Sequence, residues 1–125
     1  MCSSLSQNPD QEKECEALIR PVMDALDVLS GRWKLPIITS LYLGPKRYRE
    51  ILGEVRGITD KMLSKELKEL EMNKLIVRRV ISSFPPAVEY SMTEHGRSLD
   101  KLIMELWRWG KKHREEIIGE DARII

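Results

Sequence analysis

The stretch GPKRYREILGEVRGITDKMLSKELKELE, residues 44–71, decides the fold of this chain. Its apolar spacing predicts a short helix from Tyr48 to about Val55 and a second helix from Asp60 to Glu71. Thr59 has the side chain that a helix N-cap requires, and Gly57 lets the intervening turn adopt a positive φ without steric cost. Two helices joined by a short turn containing glycine form a helix-turn-helix, whose second helix can enter the major groove of DNA.

The second of these helices is amphipathic. Leu63, Leu67 and Leu70 recur at helical spacing and predict one buried stripe. The opposite side carries polar and basic side chains, namely Lys61, Ser64, Lys65 and Lys68. An ordinary surface helix with a solvated lysine face would show the same pattern, so the flanking sequence has to distinguish between the two interpretations.

Basic residues are concentrated around this helix pair. The net charge of the whole chain is only +1, but residues 44–79 hold 10 basic and 6 acidic side chains, a net charge of +4. Residues 1–30 have a net charge of −4 and residues 80–125 of −1. A positive region of this kind is the electrostatic footprint that binding to phosphates requires. Because +4 is modest for one copy, the pattern favours a dimer in which two such regions act together.

Length and composition indicate one soluble globular domain. The chain has 125 residues, of which 42% are hydrophobic and 33% are charged. We expect a disordered tail at residues 1–11, a single domain at residues 12–118 and a short tail at residues 119–125. The sequence contains no run of 18 apolar residues and no secretory segment, so we expect a cytoplasmic protein without a membrane partner.

The chain has no pattern typical of a metal site, a cofactor site or an enzyme. Cys2 and Cys15 are too few for a disulfide framework, and both lie far in sequence from His95 and His113. Catalysis would need an acid, a base or a nucleophile converging on one place, and no such set is evident. We expect His113 to pack or hydrogen-bond on a helix seam rather than to act as a catalytic base.

Two helices are expected before the helix-turn-helix. The first covers residues 12–29, where Pro21 predicts either a kink or a division into two pieces. The second covers residues 32–43, and Trp33 is interpreted as an anchor of the core rather than as a ligand-binding aromatic side chain. The apolar face of the first helix includes Leu18, Val22 and Leu26.

A β-hairpin is expected after the helix pair. A turn at residues 72–74, with Asn73 as its left-handed residue, leads into strands at residues 75–81 and 87–92. The loop between them, residues 82–86, ends in two prolines, which cannot donate to a strand ladder. A hairpin in this place is the wing of a winged-helix domain, and we expect this wing, residues 76–92, to lie along the DNA backbone or the minor groove.

A long final helix is expected at residues 94–118, with Thr93 as its N-cap. Its length of roughly 37 Å exceeds what a core of this size needs. The helix could pack across its own domain, but its wide apolar stripe favours the same helix of a second copy as its partner. The stripe comprises Leu99, Leu102, Ile103, Leu106, Trp109 and His113.

The order of these elements and several motifs resemble those of the HxlR-type winged-helix transcriptional regulators, relatives of the MarR group. The resemblance covers about residues 20–115 and implies a bacterial or archaeal cytoplasmic regulator that binds DNA as a homodimer. It also implies that the first and last helices form the dimer interface, that residues 59–71 are the recognition helix and that residues 82–86 are the wing tip. The matching motifs are GRW (31–33), LGPKRY (43–48), ITDKMLSKELKELE (58–71), LIVRRV (75–80), PPAVEYSMTEHGRSL (85–99) and a late Trp-x-x-x-His (109–113).

One position departs from that family's pattern. The family commonly has a cysteine before the proline of its first core helix, and in some members this cysteine senses oxidants or electrophiles. Here Arg20 occupies that position, thirteen residues ahead of Trp33. Redox sensing by the usual residue is therefore excluded. Cys15 lies five residues earlier and is interpreted as an ordinary helix cysteine, and any redox role of Cys15 or Cys2 stays open.

The candidate DNA contacts have different expected roles. Thr59, Lys61 and Ser64 would read base edges or the adjacent phosphates. Asp60 could accept a hydrogen bond from cytosine, but we expect it to complement the helix dipole instead. Arg78 and Arg79 point to opposite faces of the wing, so at most one of them faces DNA. The residues expected to neutralise phosphates are Arg47, Arg49, Lys65 and Lys68.

The hypothesis from the sequence is a mainly α winged helix-turn-helix with a small β-hairpin wing that binds double-stranded DNA as a symmetric homodimer. Two-fold symmetry predicts a pseudo-palindromic operator. The alternative is a winged-helix module for protein contact without DNA binding, and the sequence identifies no small-molecule effector. The candidate DNA contacts are Arg47, Arg49, Thr59, Asp60, Lys61, Ser64, Lys65, Lys68, Arg79, Ser82 and Ser83. The candidate dimer interface is Leu18, Val22, Leu26, Leu99, Leu102, Ile103, Leu106, Trp109 and His113.

Overall fold

A computed structural model describes residues 9–119 of the chain. Most of the two expected tails, with Cys2, lies outside this range. The winged helix-turn-helix expected from the sequence is confirmed. In chain order the elements are α1 (Pro9–Leu29), α2 (Lys34–Tyr42), β1 (Lys46–Arg47), α3 (Tyr48–Glu54), α4 (Asp60–Met72), β2 (Ile76–Ile81), β3 (Ala87–Met92), α5 (Glu94–Arg97) and α6 (Asp100–Ile118).

The core lies between α2, the helix-turn-helix formed by α3 and α4, and the inner face of the sheet. The leucine stripe of α4 is fully buried, as its spacing predicted. Trp33 is half-buried and packs against this core, which confirms its interpretation as an anchor. The fully buried side chains are Ile37, Ile38, Leu41, Ile51, Leu63, Leu67, Leu70, Leu75 and Ile76.

The turn between α3 and α4 uses the two residues that the sequence singled out. Gly57 has φ +87°, a conformation that other residue types adopt only with strain. Thr59 has extended backbone geometry, and its Oγ1 accepts a hydrogen bond from the Met62 N–H at 3.2 Å. The hydroxyl therefore satisfies one of the unpaired donors at the start of α4.

The left-handed residue after α4 is Lys74, with φ 61°, and the prediction of Asn73 was wrong. Asn73 keeps φ −83° because it caps α4, with its side-chain amide donating to the Glu69 carbonyl at 3.0 Å. The chain then reverses at Lys74, and the Leu75 N–H donates to the Leu70 carbonyl at 3.0 Å. This is a Schellman ending, which places its positive φ one residue after the cap.

The wing is part of a three-stranded antiparallel sheet with the strand order β1-β3-β2. The hairpin of β2 and β3 is confirmed, with Ile76 opposite Met92 and Ile81 opposite Ala87. The sequence did not predict β1, because a strand of two residues carries no periodicity. It forms by pairing with β3, so that Lys46 lies opposite Tyr90.

The final helix is divided, and the prediction of one helix over residues 94–118 was wrong. Thr93 does cap α5, since its Oγ1 accepts from the Gly96 N–H at 2.9 Å. The chain then forms a tighter turn of the 3₁₀ type, in which the Leu99 N–H donates to the carbonyl of Gly96, three residues earlier. Gly96 lies so close to the start of β2 that a Cβ there would be 2.1 Å from the Leu75 carbonyl oxygen. Close packing of Gly96 against Leu75, rather than local helix preference, therefore accounts for the separation of α5 from α6.

α1 is one helix that continues through Pro21, so of the two alternatives, a kink or a division into two pieces, the division is excluded. It begins at Pro9, three residues before the expected start. None of its residues is buried, although Val28 and Leu29 at its end pack against the core. Among the described residues, no helix is both long and apolar enough to cross a membrane.

Cys15 is half-buried on α1 and is disulfide-bonded, so its interpretation as an ordinary helical thiol was wrong. Two cysteines are too few for a disulfide framework, but that consideration does not exclude a single disulfide bond.

Candidate nucleic-acid interface

The outward side of α4 is a continuous basic surface. The structure places Lys61, Lys65 and Lys68 there, all exposed, with Ser64 half-buried between them. Thr59 and Asp60 are exposed at the amino-terminal end of the same helix. These six candidate residues therefore share one accessible surface, which we call the α4 face.

Two of the four acidic residues of α4, Glu66 and Glu69, are paired with Lys34. The Lys34 ammonium lies 2.7 Å from Oε2 of Glu66 and donates to Oε2 of Glu69 at 2.5 Å. Burial alone would lower the pKa of Lys34, but the hydrogen bonds and charges of the two carboxylates outweigh it and raise that pKa. The hydrogen bond from Lys34 lowers the pKa of Glu69. One cation is thus shared by two carboxylates, and the three side chains together keep a net charge of −1.

The cluster of Lys34, Glu66 and Glu69 was not predicted, although the sequence contains a signal for it. Glu66 lies three residues after Leu63 and four before Leu70, so it belongs to the leucine stripe. A carboxylate on a buried stripe requires a cationic partner. The residues near Glu66 in sequence do not show which cation is its partner, because Lys34 lies 32 residues earlier in the chain.

The start of α4 is tied to α3 by Tyr48. The Tyr48 hydroxyl lies 2.8 Å from Oδ1 of Asp60 and 2.9 Å from its backbone carbonyl oxygen. Burial, followed by this hydrogen bond to Asp60, raises the pKa of Tyr48 to about 12. The Asp60 carboxylate therefore already has a partner within the protein, which agrees with a structural role better than with a contact to cytosine.

Lys46, next to the candidates Arg47 and Arg49, serves an internal ion pair. Its ammonium contacts Oε2 of Glu54, which also accepts from the Ser40 hydroxyl at 2.6 Å. The hydrogen bonds from Lys46 and Ser40 lower the pKa of Glu54. Arg47 and Arg49 are exposed, and both belong to the segment that starts α3.

Across the sheet, Arg47 and Arg79 lie on either side of Glu89. Arg47 pairs with Glu89 in one ladder, and Arg79 pairs with Glu89 in the other. Directly opposed residues in a sheet share a face, so these three side chains form one row. Arg78 belongs to the adjacent row, opposite Tyr90. Of the two wing arginines, Arg79 is therefore the one that shares a face with Arg47.

The tip of the wing projects beyond this row. Ser82 and Ser83, the two candidates there, are both exposed. Phe84 follows them, and its relative exposure of 103% means that the ring contacts essentially nothing in its own chain. Phe84 was not among the DNA contacts predicted from the sequence, because those contacts were chosen from polar and basic side chains.

The candidate dimer-interface residues divide into two groups. Leu99 and Ile103 are half-buried against the core of their own chain. His113 is exposed and stacks on Trp109, with ring centroids 4.8 Å apart. The remaining apolar candidates are exposed, with Leu18 and Trp109 both at 66%, and they are Leu18, Val22, Leu26, Leu102, Leu106 and Trp109.

Within residues 9–119, no group of three or more histidine, cysteine or acidic side chains could hold a metal ion. His95 and His113 are both exposed. Arg20, at the position where the family commonly has cysteine, is exposed on α1.

Comparisons with known proteins agree with this architecture. A family model for the HxlR-like helix-turn-helix matches residues 28–118. The HTH-type transcriptional regulator YdeP of Bacillus subtilis is 40% identical over 97 residues, which cover 78% of this chain and 76% of that protein. The reduced form of the regulator YodB from B. subtilis has a TM-score of 0.70 at 35% identity, with 78% of this chain and 92% of that chain covered.

The reduced form of the redox regulator HypR has a TM-score of 0.72 at 36% identity, and the match covers 79% of this chain and 98% of that chain. Each of these similarities extends over more than two thirds of both chains. The matched region includes α2 to α6, and therefore both the α4 face and the wing. The chain belongs to the HxlR-like helix-turn-helix family of transcriptional regulators.

Proposed function

We propose that this protein regulates transcription by binding double-stranded DNA as a symmetric homodimer, with α4 of each protomer in a major groove. The observation that carries the proposal is the division of α4 into a buried leucine stripe and an exposed basic α4 face. Lys34 supports this division because its ammonium pairs with the carboxylates of Glu66 and Glu69. Family membership supports the same function.

Within this proposal, Lys65, Lys68, Arg47 and Arg49 neutralise phosphates and set the register of the protein on the duplex. Lys61 and Ser64, in the first turn and a half of α4, read base edges or the adjacent phosphates together with Thr59. Asp60 stays bound to Tyr48 and orients the start of the helix. Arg79, Ser82 and Ser83 follow the DNA backbone along the wing.

The dimer is proposed from the surfaces of α1 and α6. Neither helix has a buried residue in a single chain, yet both carry rows of large apolar side chains. Apolar rows of this extent are typical of protein interfaces. Closed two-fold pairing would cover both rows and place two copies of α4 side by side, so the operator would be a pseudo-palindrome.

An effector is also part of the proposal, without an assigned site. YodB has been solved in a quinone-bound form, and HypR is described as a redox regulator. Those are properties of those proteins. This chain has Arg20 at the family's usual cysteine position, so we propose no sensing by that position.

The DNA-binding test is a salt titration with a duplex selected from a random-sequence pool. We expect Lys65→Ala to reduce the slope of log affinity against log salt by about 0.9 for each phosphate that is no longer neutralised, and thus by about 1.8 for a dimer. Lys101→Ala, which removes an exposed lysine from α6, serves as the control with an unchanged slope. An unchanged slope for Lys65→Ala would exclude a phosphate contact by this lysine. Failure of the wild type to bind any duplex at low salt would favour the protein-contact alternative.

The dimer test is sedimentation equilibrium of Leu106→Glu, which places a charge in the exposed apolar row of α6. We expect this variant to be monomeric at concentrations where the wild type is dimeric, because a buried unpaired carboxylate would oppose association. Leu43→Glu is the matched control, since Leu43 is also an exposed leucine but lies at the end of α2. Equal dissociation by both variants would argue against an interface on α6.

A further inference from the structure

Phe84 is an apolar side chain that does not pack against any other part of its own chain. It is the single phenylalanine of the chain, and its ring is fully exposed between β2 and β3. Burial of apolar surface is the main favourable contribution to folding, and this ring contributes none of it. A lone exposed leucine needs no explanation, but an aromatic ring at the end of a projecting hairpin suits contact with another surface.

The loop holds this ring in a defined place. The Ser83 hydroxyl donates to the Pro85 carbonyl at 2.7 Å, and this bond closes the chain around Phe84. The Ser83 N–H donates to the Ile81 carbonyl at 2.8 Å and joins the loop to the end of β2. Pro85 and Pro86 have fixed φ angles, which reduces the conformational freedom that contact with a partner would remove.

The charge of the hairpin identifies the chemistry of the partner. The hairpin and the turn before it, residues 73–92, contain three basic side chains, Lys74, Arg78 and Arg79, and one acidic side chain, Glu89, for a net charge of +2. A hairpin whose strands are positively charged and whose tip is uncharged and apolar is suited to bind a polyanion that has an apolar interior. Duplex DNA has that character, because its phosphates surround the stacked bases and the sugar walls of the minor groove.

The length of the wing is suited to the same partner. β2 rises about 3.3 Å per residue, so its five steps from Ile76 to Ile81 extend roughly 17 Å. That length is about half of the B-DNA repeat of roughly 34 Å. A hairpin of this length is therefore long enough to span the distance from a major groove to the adjacent minor groove.

We propose that Phe84 is a minor-groove wedge, whose ring enters the groove beside each half-site and partly unstacks one base-pair step. This inference rests on the proposed function and adds a contact that bends the duplex. Apolar wedges of this kind kink DNA towards the major groove. Steps of pyrimidine followed by purine unstack most easily, so Phe84 also gives the protein a sequence preference at bases that α4 does not touch.

The experiment compares Phe84→Ala with the wild type on the selected duplex, by titration and by the gel mobility of circularly permuted fragments. We expect affinity to fall about tenfold for each ring that no longer stacks on a base, and thus about a hundredfold for a dimer. The bend should decrease, and the salt slope should stay unchanged because no charge is removed. Phe84→Trp should retain the bend. Val80→Ala, which removes an exposed apolar side chain lower on β2, is the control and should change neither quantity.

The outcomes separate this inference from the function on which it rests. Unchanged affinity and bend in Phe84→Ala, together with a reduced slope in Lys65→Ala, would overturn the wedge and leave DNA binding by α4 in place. Weaker binding with an unchanged bend would also overturn it, since the ring would then act without opening a base step. Absence of duplex binding by the wild type would instead remove the proposed function itself. Because Phe84 has no intramolecular packing to lose, its variants should unfold at the same denaturant concentration as the wild type.

Discussion

The ammonium of Lys34, at the first residue of α2, lies 2.7 Å from Oε2 of Glu66 in the middle of α4. Both side chains are nine-tenths or more buried, with relative exposures of 7% and 10%. Lys34 also approaches the Ser30 carbonyl, at 3.5 Å, just beyond the end of α1. One buried cation therefore joins the end of α1, the start of α2 and the inner side of the proposed recognition helix.

Removal of this cation should destabilise the fold. We expect Lys34→Met to lower the free energy of unfolding by about 3 kcal/mol, because Glu66 would be left buried without its partner. The measurement is urea denaturation near neutral pH. The double variant Lys34→Met with Glu66→Leu is the control and should regain most of the stability. A double variant as unstable as the single one would show that the Glu66 charge is not the cause.

The same cluster should give stability a characteristic dependence on pH. The pKa of Glu69 is lowered from 4.5, so its contribution is present above that value and is lost as the pH falls through the lower folded pKa. The pKa of Lys34 is raised from 10.5, so its contribution is present below 10.5 and is lost as the pH rises through the higher folded pKa. The difference in unfolding free energy between wild type and the double variant Lys34→Met with Glu66→Leu, which leaves no unpaired buried carboxylate, should be flat between these limits and shrink outside them. A difference that changes steeply near neutral pH would contradict this assignment.

Tyr48 should report the contact between α3 and the start of α4. Its pKa of about 12, against an ordinary 10.0, means that the fold favours the protonated hydroxyl. This contribution is complete below pH 10 and is lost as the pH rises through 12. We expect Tyr48→Phe to cost about 0.5–1.5 kcal/mol near neutral pH, as is typical when one hydrogen bond is removed. It should also remove a late-titrating group from the ultraviolet titration of tyrosinate, and Tyr42→Phe is the comparison variant.

Two glycines should respond in opposite ways to the same added methyl group. In Gly96→Ala the Cβ would meet the Leu75 carbonyl at 2.1 Å, so backbone must move, and we expect a loss of about 1–3 kcal/mol or more. In Gly53→Ala the Cβ meets nothing within 4 Å on a helix, and we expect a gain of about 0.5–1 kcal/mol. Thermal unfolding of both variants gives the comparison. Equal effects would mean that helix propensity, and not the contact with Leu75, determines the need for glycine at position 96.

Glu89 should moderate the proposed affinity for DNA, because it lies between Arg47 and Arg79 in one cross-strand row. We expect Glu89→Gln to bind the selected duplex about three- to tenfold more tightly at low salt, with the gain decreasing as salt screens the charges. Glu12→Gln, an equal charge change on α1, should show little of this gain. Weaker binding by Glu89→Gln would indicate that Glu89 orients the two arginines rather than opposing the phosphates.

The sequence was sufficient to predict those parts of the structure that depend on residues close to one another along the chain. The leucine spacing, Gly57 and Thr59 act within one or two turns, so the helix-turn-helix could be predicted almost to the residue. The strands of the wing followed from β-branched runs and paired prolines in the same way. The candidates of the α4 face could also be placed together, since one helix carries them all.

The features that could not be predicted depend on distant pairings. β1 exists only because β3 lies beside it, and the break between α5 and α6 exists because Gly96 meets Leu75. Residues 94–118 have the local pattern of one helix, and nothing in that stretch indicates an approach to a strand about twenty residues earlier. The burial of Lys34 likewise follows from the packing of α2 on α4, which one-dimensional periodicity does not describe.

The positions of the three tryptophans make the chain its own optical reporter. Trp33 is half-buried against the core, whereas Trp107 and Trp109 are both more than half exposed on α6. Emission from the α6 pair should shift to the red when a dimer is diluted into monomers, while Trp33 should keep its emission until the domain unfolds. Intrinsic fluorescence can therefore follow association and unfolding as two separate signals in the unlabelled protein. Substitution of Trp33 by Phe would leave the first signal and remove the second.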